Sequence, residues 1–358
     1  MKGATMRAFV TDGKGSGSIQ NVPRPVPSSG EILVKVHYVA LNPGDWKLVD
    51  GDVLDGPAAP GLIAGCDFAG TVEEPNGSKW QKGQRVGGWV HGATYKGVGS
   101  FAEFINIGAT LVFAIPENIS LQQGATISLA FATATQAMFQ RMRLPEPFQP
   151  KENKVDFLVY GASTSVGLYA VQLGRLSGIR VIAIASVKNH DLLKRLGADI
   201  AIDYHEADWV DRVRDITNGE LKYAFDTIAD EISQVKMANA LGRREGAHLV
   251  ALSPVNKSSI EAINPYVKAE SIIAFTVFGR ELGEDYAMFD NVGAATPDDR
   301  DTWEKYLQLV TDMLWTEDLQ PNPVREVGTL ENVTEAFRLS KDGKLSAEKA
   351  VLRVAGGE

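Results

Sequence analysis

Between residues 155 and 253, short apolar runs alternate with stretches of helical spacing, and this alternation limits the fold more than any other feature. The runs are 155–160, RVIAIA (180–185), DIAIDY (199–204), YAFDTI (223–228) and HLVALS (248–253). Helical spacing fills 166–177, 188–197, 207–217 and 231–243. Strands alternating with amphipathic helices predict an α/β domain, a parallel sheet covered by helices on both faces. A further helix is predicted over SLAFATATQAMFQRM (128–142), followed by a proline- and charge-rich loop, PEPFQPKENK (145–154).

The first third reads differently. MRAFV, EILVKVHYVAL, FAGTVEE, RVGGWV and FAEFINI are short strands broken by Gly and Pro, the spacing of an antiparallel, barrel-like domain. A long helix, WEKYLQLVTDMLW (303–315), and a strand, KAVLRV, close the chain. Its 358 residues suffice for two domains with real cores. A net charge of −9 argues against a nucleic-acid binder, which needs a basic face. No apolar run reaches the roughly 18 residues that span a bilayer. MKGATMRAFV lacks the apolar core of a secretory signal, and Cys66 is the only cysteine, too few for a disulfide framework. The expectation is a soluble, cytoplasmic protein.

VYGASTSVG (159–167) joins the first strand of the α/β region to its first helix. In a βαβ unit this turn sets backbone N–H groups and a helix N-terminus against a dinucleotide's pyrophosphate. Gly161 and Gly167 fit that role, and Val166, Tyr169, Ala170 and Leu173 form the buried stripe of the helix. Thr164 stands where the usual pattern has its middle glycine, while Ser163, Thr164 and Ser165 add hydroxyls that can contact phosphate. The glycines alone fit a plain strand–helix turn equally well. The next strand ends in Ser186-Val187-Lys188-Asn189, with no acid before Asp191. A carboxylate there would accept from a ribose 2′-OH; Ser, Lys and Asn suit a 2′-phosphate instead, and Tyr204 can reach the same group. A charge-assisted contact contributes about 1.5–3 kcal/mol, so Lys188 alone favours NADPH about tenfold or more. The bland alternative is a solvated turn at a helix start.

LNPGDWK (41–47), GCDFAGTVEE (65–74), GQRVGG (83–88), GSFAEF (99–104), TATQAMF (133–139), YGASTSVGLYAVQLGRLSG (160–178) and LGADIAIDY (196–204), in this order, resemble the medium-chain dehydrogenase/reductase superfamily over nearly the whole chain. The resemblance implies a split GroES-like catalytic domain, 1–125 plus the tail 280–358, and a Rossmann cofactor domain, 126–279. It places the active site in the cleft between them. Gly65-Cys66-Asp67 stands where zinc-bearing members have a GHE-type histidine, and His37, His91, His190, His205 and His248 show no ligand spacing. A catalytic zinc needs three protein ligands. The chain therefore resembles the zinc-free, quinone-oxidoreductase-like branch, and within it the trans-acting enoyl reductases of fungal polyketide synthases. The Ser-Thr pair of the loop, the SVKN turn and KLSAEKAVLRV (344–354) carry that finer likeness.

That likeness implies NADPH-dependent reduction of an α,β-unsaturated thioester borne by the acyl carrier domain of a partner polyketide synthase, or polyketide–peptide hybrid synthase, with a monomeric reductase. It makes Lys47 the catalytic group that polarises the thioester oxygen or a ribose hydroxyl, with Asn42 holding ribose or carboxamide. Val166, Ala251, Leu252, Leu345 and Ser346 complete the cofactor contacts. Thr133, Phe139, Phe275 and Thr276 would line the acyl channel. Arg141, Arg143, Lys151 and Lys154 could meet an acidic carrier domain or simply form a solvated turn. No residue offers itself as donor of the α-carbon proton, leaving water. Two other readings stay open: a free-standing quinone or enal reductase, and a non-catalytic NADPH-binding protein.

Overall fold

The computed structural model describes residues 4–52, 56–149, 155–292 and 297–354. They form two compact units, one made of the chain up to Leu129 and again from Glu304, the other Ala130–Trp303.

The first unit begins with an antiparallel pair, β1 (Thr5–Thr11) and β2 (Gly17–Pro23). Its main sheet is built on β3 (Glu31–Ala40), whose Ile32, Leu33, Val34, Val36 and Val39 are all buried. Antiparallel neighbours follow: β4 (Asp67–Glu74), β5 (Arg85–Trp89), β6 (Phe104–Gly108) and β7 (Val112–Ala114). A helix the strand pattern did not announce, Pro43–Asp50, follows β3, with Asn42 at its N-cap and Pro at its start.

The second unit is the predicted parallel sheet: β8 (Asp156–Tyr160), β9 (Arg180–Ile184), β10 (Ile200–Ile202), β11 (Tyr223–Asp226), β12 (Ala247–Ala251) and β13 (Val267–Ser271). Their order is β10-β9-β8-β11-β12-β13. Phe157, Leu158 and Val159 are buried in succession because helices cover both faces. Connections from β8 run first to one side and then to the other, so the order reverses between β8 and β11; ligands of such sheets bind at the carboxyl ends of these strands. The helix predicted over 128–142 is α-helical at Ser128–Thr135 and continues as a π-helical turn, Gln136–Arg141. FTVF lies in a 3-10 turn, Ala274–Phe278.

The tail returns to the first unit. β15 (Lys349–Arg353) pairs antiparallel with β3, and β14 (Val324–Thr329) pairs parallel with β15. The boundaries lie at 129/130 and 303/304, against the expected 125/126 and 279/280. The second shift has a local cause: residues beyond 280 are tied into the α/β unit. Asp290 accepts the Ser271 N–H at 2.8 Å, Asn291 bonds Ile273 at both N–H and carbonyl, and Trp303 packs on Phe131.

Candidate active site

The turn after β8 places Gly161 at φ +70°, a conformation glycine adopts without strain. Gly167 opens the first turn of the helix Ser165–Leu176; a Cβ there would stand 2.4 Å from the Gly161 carbonyl oxygen. Loop and helix can close on each other only with glycine at 167. Thr164 is the N-cap: its hydroxyl accepts the Gly167 N–H at 3.0 Å and donates to Thr227 Oγ1 at 2.9 Å. Thr164 was expected to offer its hydroxyl to phosphate, but that hydrogen goes to Thr227. Ser163, Ser165 and Val166 are half-buried on the same turn.

At the end of β9, Val187 and Lys188 are exposed and Ser186 half-buried, whereas Asn189 is turned inward and buried. Tyr204, 39% exposed, lies against the His205 ring at 3.9 Å, and His205 Nδ1 pairs with Asp203 Oδ1 at 2.8 Å. Ala251 ends β12 in full burial; Leu252, half-buried, donates its N–H to the Asp226 carbonyl. The turn and strand ends thus supply a glycine cradle, a helix N-terminus and an exposed lysine within one unit, and they fit a dinucleotide's phosphates.

In the first unit, the helix Pro43–Asp50 presents Lys47, one third exposed, with Nζ 3.8 Å from Asp52 Oδ2. Asn42 faces the other way. Buried, it donates Nδ2–H to Asp67 Oδ2 at 2.9 Å and its backbone N–H to Asp45 Oδ2 at 2.7 Å. Both of these donors serve a buried network within the first unit. Lys349 Nζ lies 2.5 Å from the same Asp67 oxygen, and Asp67 Oδ1 accepts the Leu129 N–H at 2.8 Å. Leu345 is half-buried and Ser346 exposed, just before β15.

Burial pushes the Asp45 carboxyl up to about 7, and the neighbouring Asp67 charge adds to this against its bond with Asn42. Burial, with Asp45 beside it, also raises the Cys66 thiol. A carboxyl raised in the folded state is still protonated there when its unfolded counterpart has ionised. Asp45 therefore withdraws stability as pH climbs from about 4 to 7, by roughly 1.4 kcal/mol per pH unit. Asp45→Asn, which keeps the acceptor for Asn42, should gain in unfolding free energy on wild type across that window. Denaturant unfolding at pH 5 and pH 7 measures this; parallel curves would refute the assignment.

Thr133, Phe139, Phe275 and Thr276 are all buried, and the structure joins the two segments that carry them: Gln136 Nε2 donates to Thr276 Oγ1 at 2.9 Å. Asn291 also donates to Thr276, whose own hydroxyl points to the Ile273 carbonyl at 3.3 Å. Thr276 is thus a structural node of this unit. Arg141 pairs with the buried Asp299, NH2 lying 3.1 and 3.3 Å from its two carboxylate oxygens. Lys151 and Lys154 lie outside the described residues.

The description "Alcohol dehydrogenase GroES-like domain" matches residues 28–117, and "Zinc-binding dehydrogenase" matches 165–291. Trans-enoyl reductase ACTTS2 of Alternaria alternata is 33% identical over 98% of this chain and 99% of its own. The chain belongs to the medium-chain dehydrogenase/reductase superfamily, among the trans-enoyl reductases. It is an oxidoreductase using a nicotinamide cofactor. Two solved structures share the fold at low identity. The CurK enoyl reductase has TM-score 0.74 and 19% identity, over 98% of this chain and 99% of that one. A mycobacterial protein complexed with NADPH has TM-score 0.72 and 20% identity, over 97% and 99%.

The described residues do not fit a zinc ion. The segment matched to the zinc-binding description contains no cysteine, and among the described residues no three His, Cys, Asp or Glu side chains come together to hold a metal. Cys66 bonds the Asp45 carboxyl, while nearby Asp67 is already paired with the Lys349 ammonium. Sequence reasoning missed Lys349, Asp45 and Thr227. Only the apolar run after Lys349, with Ala350, Val351 and Leu352 all buried, hinted at a strand, and such a run does not reveal a buried ammonium.

Proposed function

We propose that the chain is a trans-acting enoyl reductase that uses NADPH to reduce the α,β-unsaturated thioester of a polyketide held on the acyl carrier domain of a partner polyketide synthase. The observation that carries this reading is the likeness, over 98% of this chain and 99% of the relative, to a protein named trans-enoyl reductase.

The cofactor, when bound, supplies hydride to the β-carbon; the protein supplies position and charge. The β8 turn holds the phosphates through backbone N–H groups and the helix N-terminus. Lys47 keeps its ammonium solvated and available to stabilise negative charge developing on the thioester oxygen. The α-carbon proton comes from water. Lys188, exposed at the end of β9 with no acid in its turn, favours a 2′-phosphate.

The test is turnover of a short 2-enoyl pantetheine thioester with NADPH or NADH, followed by loss of reduced nicotinamide. NADPH should be strongly preferred, and Lys188→Ala should lower the NADPH/NADH ratio of kcat/KM about tenfold. An unchanged ratio would remove Lys188 from the site. Reduction of simple quinones with no turnover of the thioester would sink the polyketide reading.

A further inference from the structure

The loop after β8 has threonine where dinucleotide-binding turns have their middle glycine, a residue that lets the backbone approach the pyrophosphate. A side chain at this place must point away from the ligand, and something must hold it there.

The hydrogen bonds run in one direction through two hydroxyls. The Gly167 N–H donates to Thr164 Oγ1 at 3.0 Å, and Thr164 donates to Thr227 Oγ1 at 2.9 Å. Thr227 Oγ1 in turn lies 2.9 Å from the carbonyl oxygens of both Tyr160 and Gly161. Each hydroxyl is used once as donor and once as acceptor, so the chain is closed within the protein. It links the helix start to the end of β11 and back to the turn itself. Thr227 also packs directly under the turn, since a Cβ at Gly161 would stand 2.5 Å from its Oγ1.

Thr227 is itself held. Asp226, the last residue of β11, accepts the N–H groups of Ile228 and Ala229 at 3.1 and 2.8 Å and the Ser233 hydroxyl at 2.5 Å. That fixes the segment through Ala229, which adopts φ +60°, rare for a residue with a side chain.

We propose that Thr227 is a positioning residue for cofactor binding: with Thr164 it forms a hydroxyl clasp that turns the Thr164 side chain toward β11 and keeps the N–H face of the loop open to the pyrophosphate. This rests on the reading of the loop as the dinucleotide site. The clasp acts on phosphates common to both nicotinamide cofactors, so it affects NADPH and NADH alike, unlike Lys188.

The experiment titrates NADPH and NADH into wild type, Thr227→Val, Thr227→Ser, Thr164→Val and the double valine variant, alongside steady-state kinetics and thermal midpoints. Thr227→Val should raise Kd for both cofactors about tenfold with kcat at saturating cofactor within about twofold of wild type, and Thr227→Ser should restore binding. The double variant should bind no worse than Thr164→Val alone, because either change breaks the same chain. A lowered midpoint with unchanged Kd would assign Thr227 to folding only and overturn the clasp, as would losses that multiply in the double variant. If Thr227→Val does not fold, Thr164→Val decides: an unchanged Kd overturns the proposal. Wild type binding neither cofactor would instead overturn the reading of the loop itself.

Discussion

Lys47→Ala should lower kcat for a 2-enoyl thioester by about 10²–10³-fold while leaving cofactor affinity and fold nearly intact. The magnitude is that of removing one oxyanion donor, about 2.7–4 kcal/mol of barrier. The selectivity follows from the surroundings of Lys47. Its ammonium is one third exposed and pairs loosely with Asp52 at 3.8 Å. A surface pair of this kind contributes about 0–1 kcal/mol to stability, so alanine has little to unfold. Its helix is anchored from the other side by Asn42 and Asp45, which the substitution does not touch. Steady-state kinetics with a thermal midpoint on the same preparation separates the two effects. A kcat within roughly threefold of wild type would leave the reaction without its proposed electrophile and return Lys47 to the surface.

Lys349→Met should be the most destabilising single change described for the first unit, about 3–5 kcal/mol. Lys349 and Asp67 are 1% and 0% exposed with 2.5 Å between charges, and the ammonium also reaches the Thr126 carbonyl at 3.4 Å. Removing it strands a buried carboxylate on two N–H donors, from Asn42 and Leu129. It also takes away a positive charge that holds the Asp45 carboxyl down. The pair joins β15 to the start of β4 across β3, so its loss loosens the return of the tail into the sheet. Asp67→Asn combined with Lys349→Met removes both charges and should recover most of the loss, since a buried ion pair is costly chiefly when broken on one side. Denaturant unfolding of the two singles and the double checks this. A double no more stable than Lys349→Met would mean that packing, not charge, sets the cost.

Much of the site was legible because its signals are local. A strand, a turn with glycines and a helical stripe occupy fewer than twenty consecutive residues, and the absence of an acid after RVIAIA is read directly from the chain. The placement of Ser186 and Lys188 at a strand end follows from the same periodicity. Asn189, one residue further, is buried, because a 3-10 turn over Val187–Asn189 rotates it inward before the helix begins. Asn42 shows the same limit: its motif marks it as a site candidate, and only the fold sets it at a helix start and aims its amide at Asp67.

The sequence by itself determined the two architectures, the parallel sheet and the glycine turn after its first strand, because hydrophobic period and glycine conformation act over a few neighbouring residues, whereas the strand order with its reversal at β8 came from the structure. The tertiary structure alone decided which polar groups are buried together. Lys349 finds Asp67 across 282 positions, Thr164 finds Thr227 across 63, and Gln136 finds Thr276 across 140. Each of these residues sits on an element whose own pattern permits either a solvated or a buried polar side chain. Burying any of them is favourable only where a distant strand or turn brings the matching donor or acceptor, and the pairing of those elements settles that.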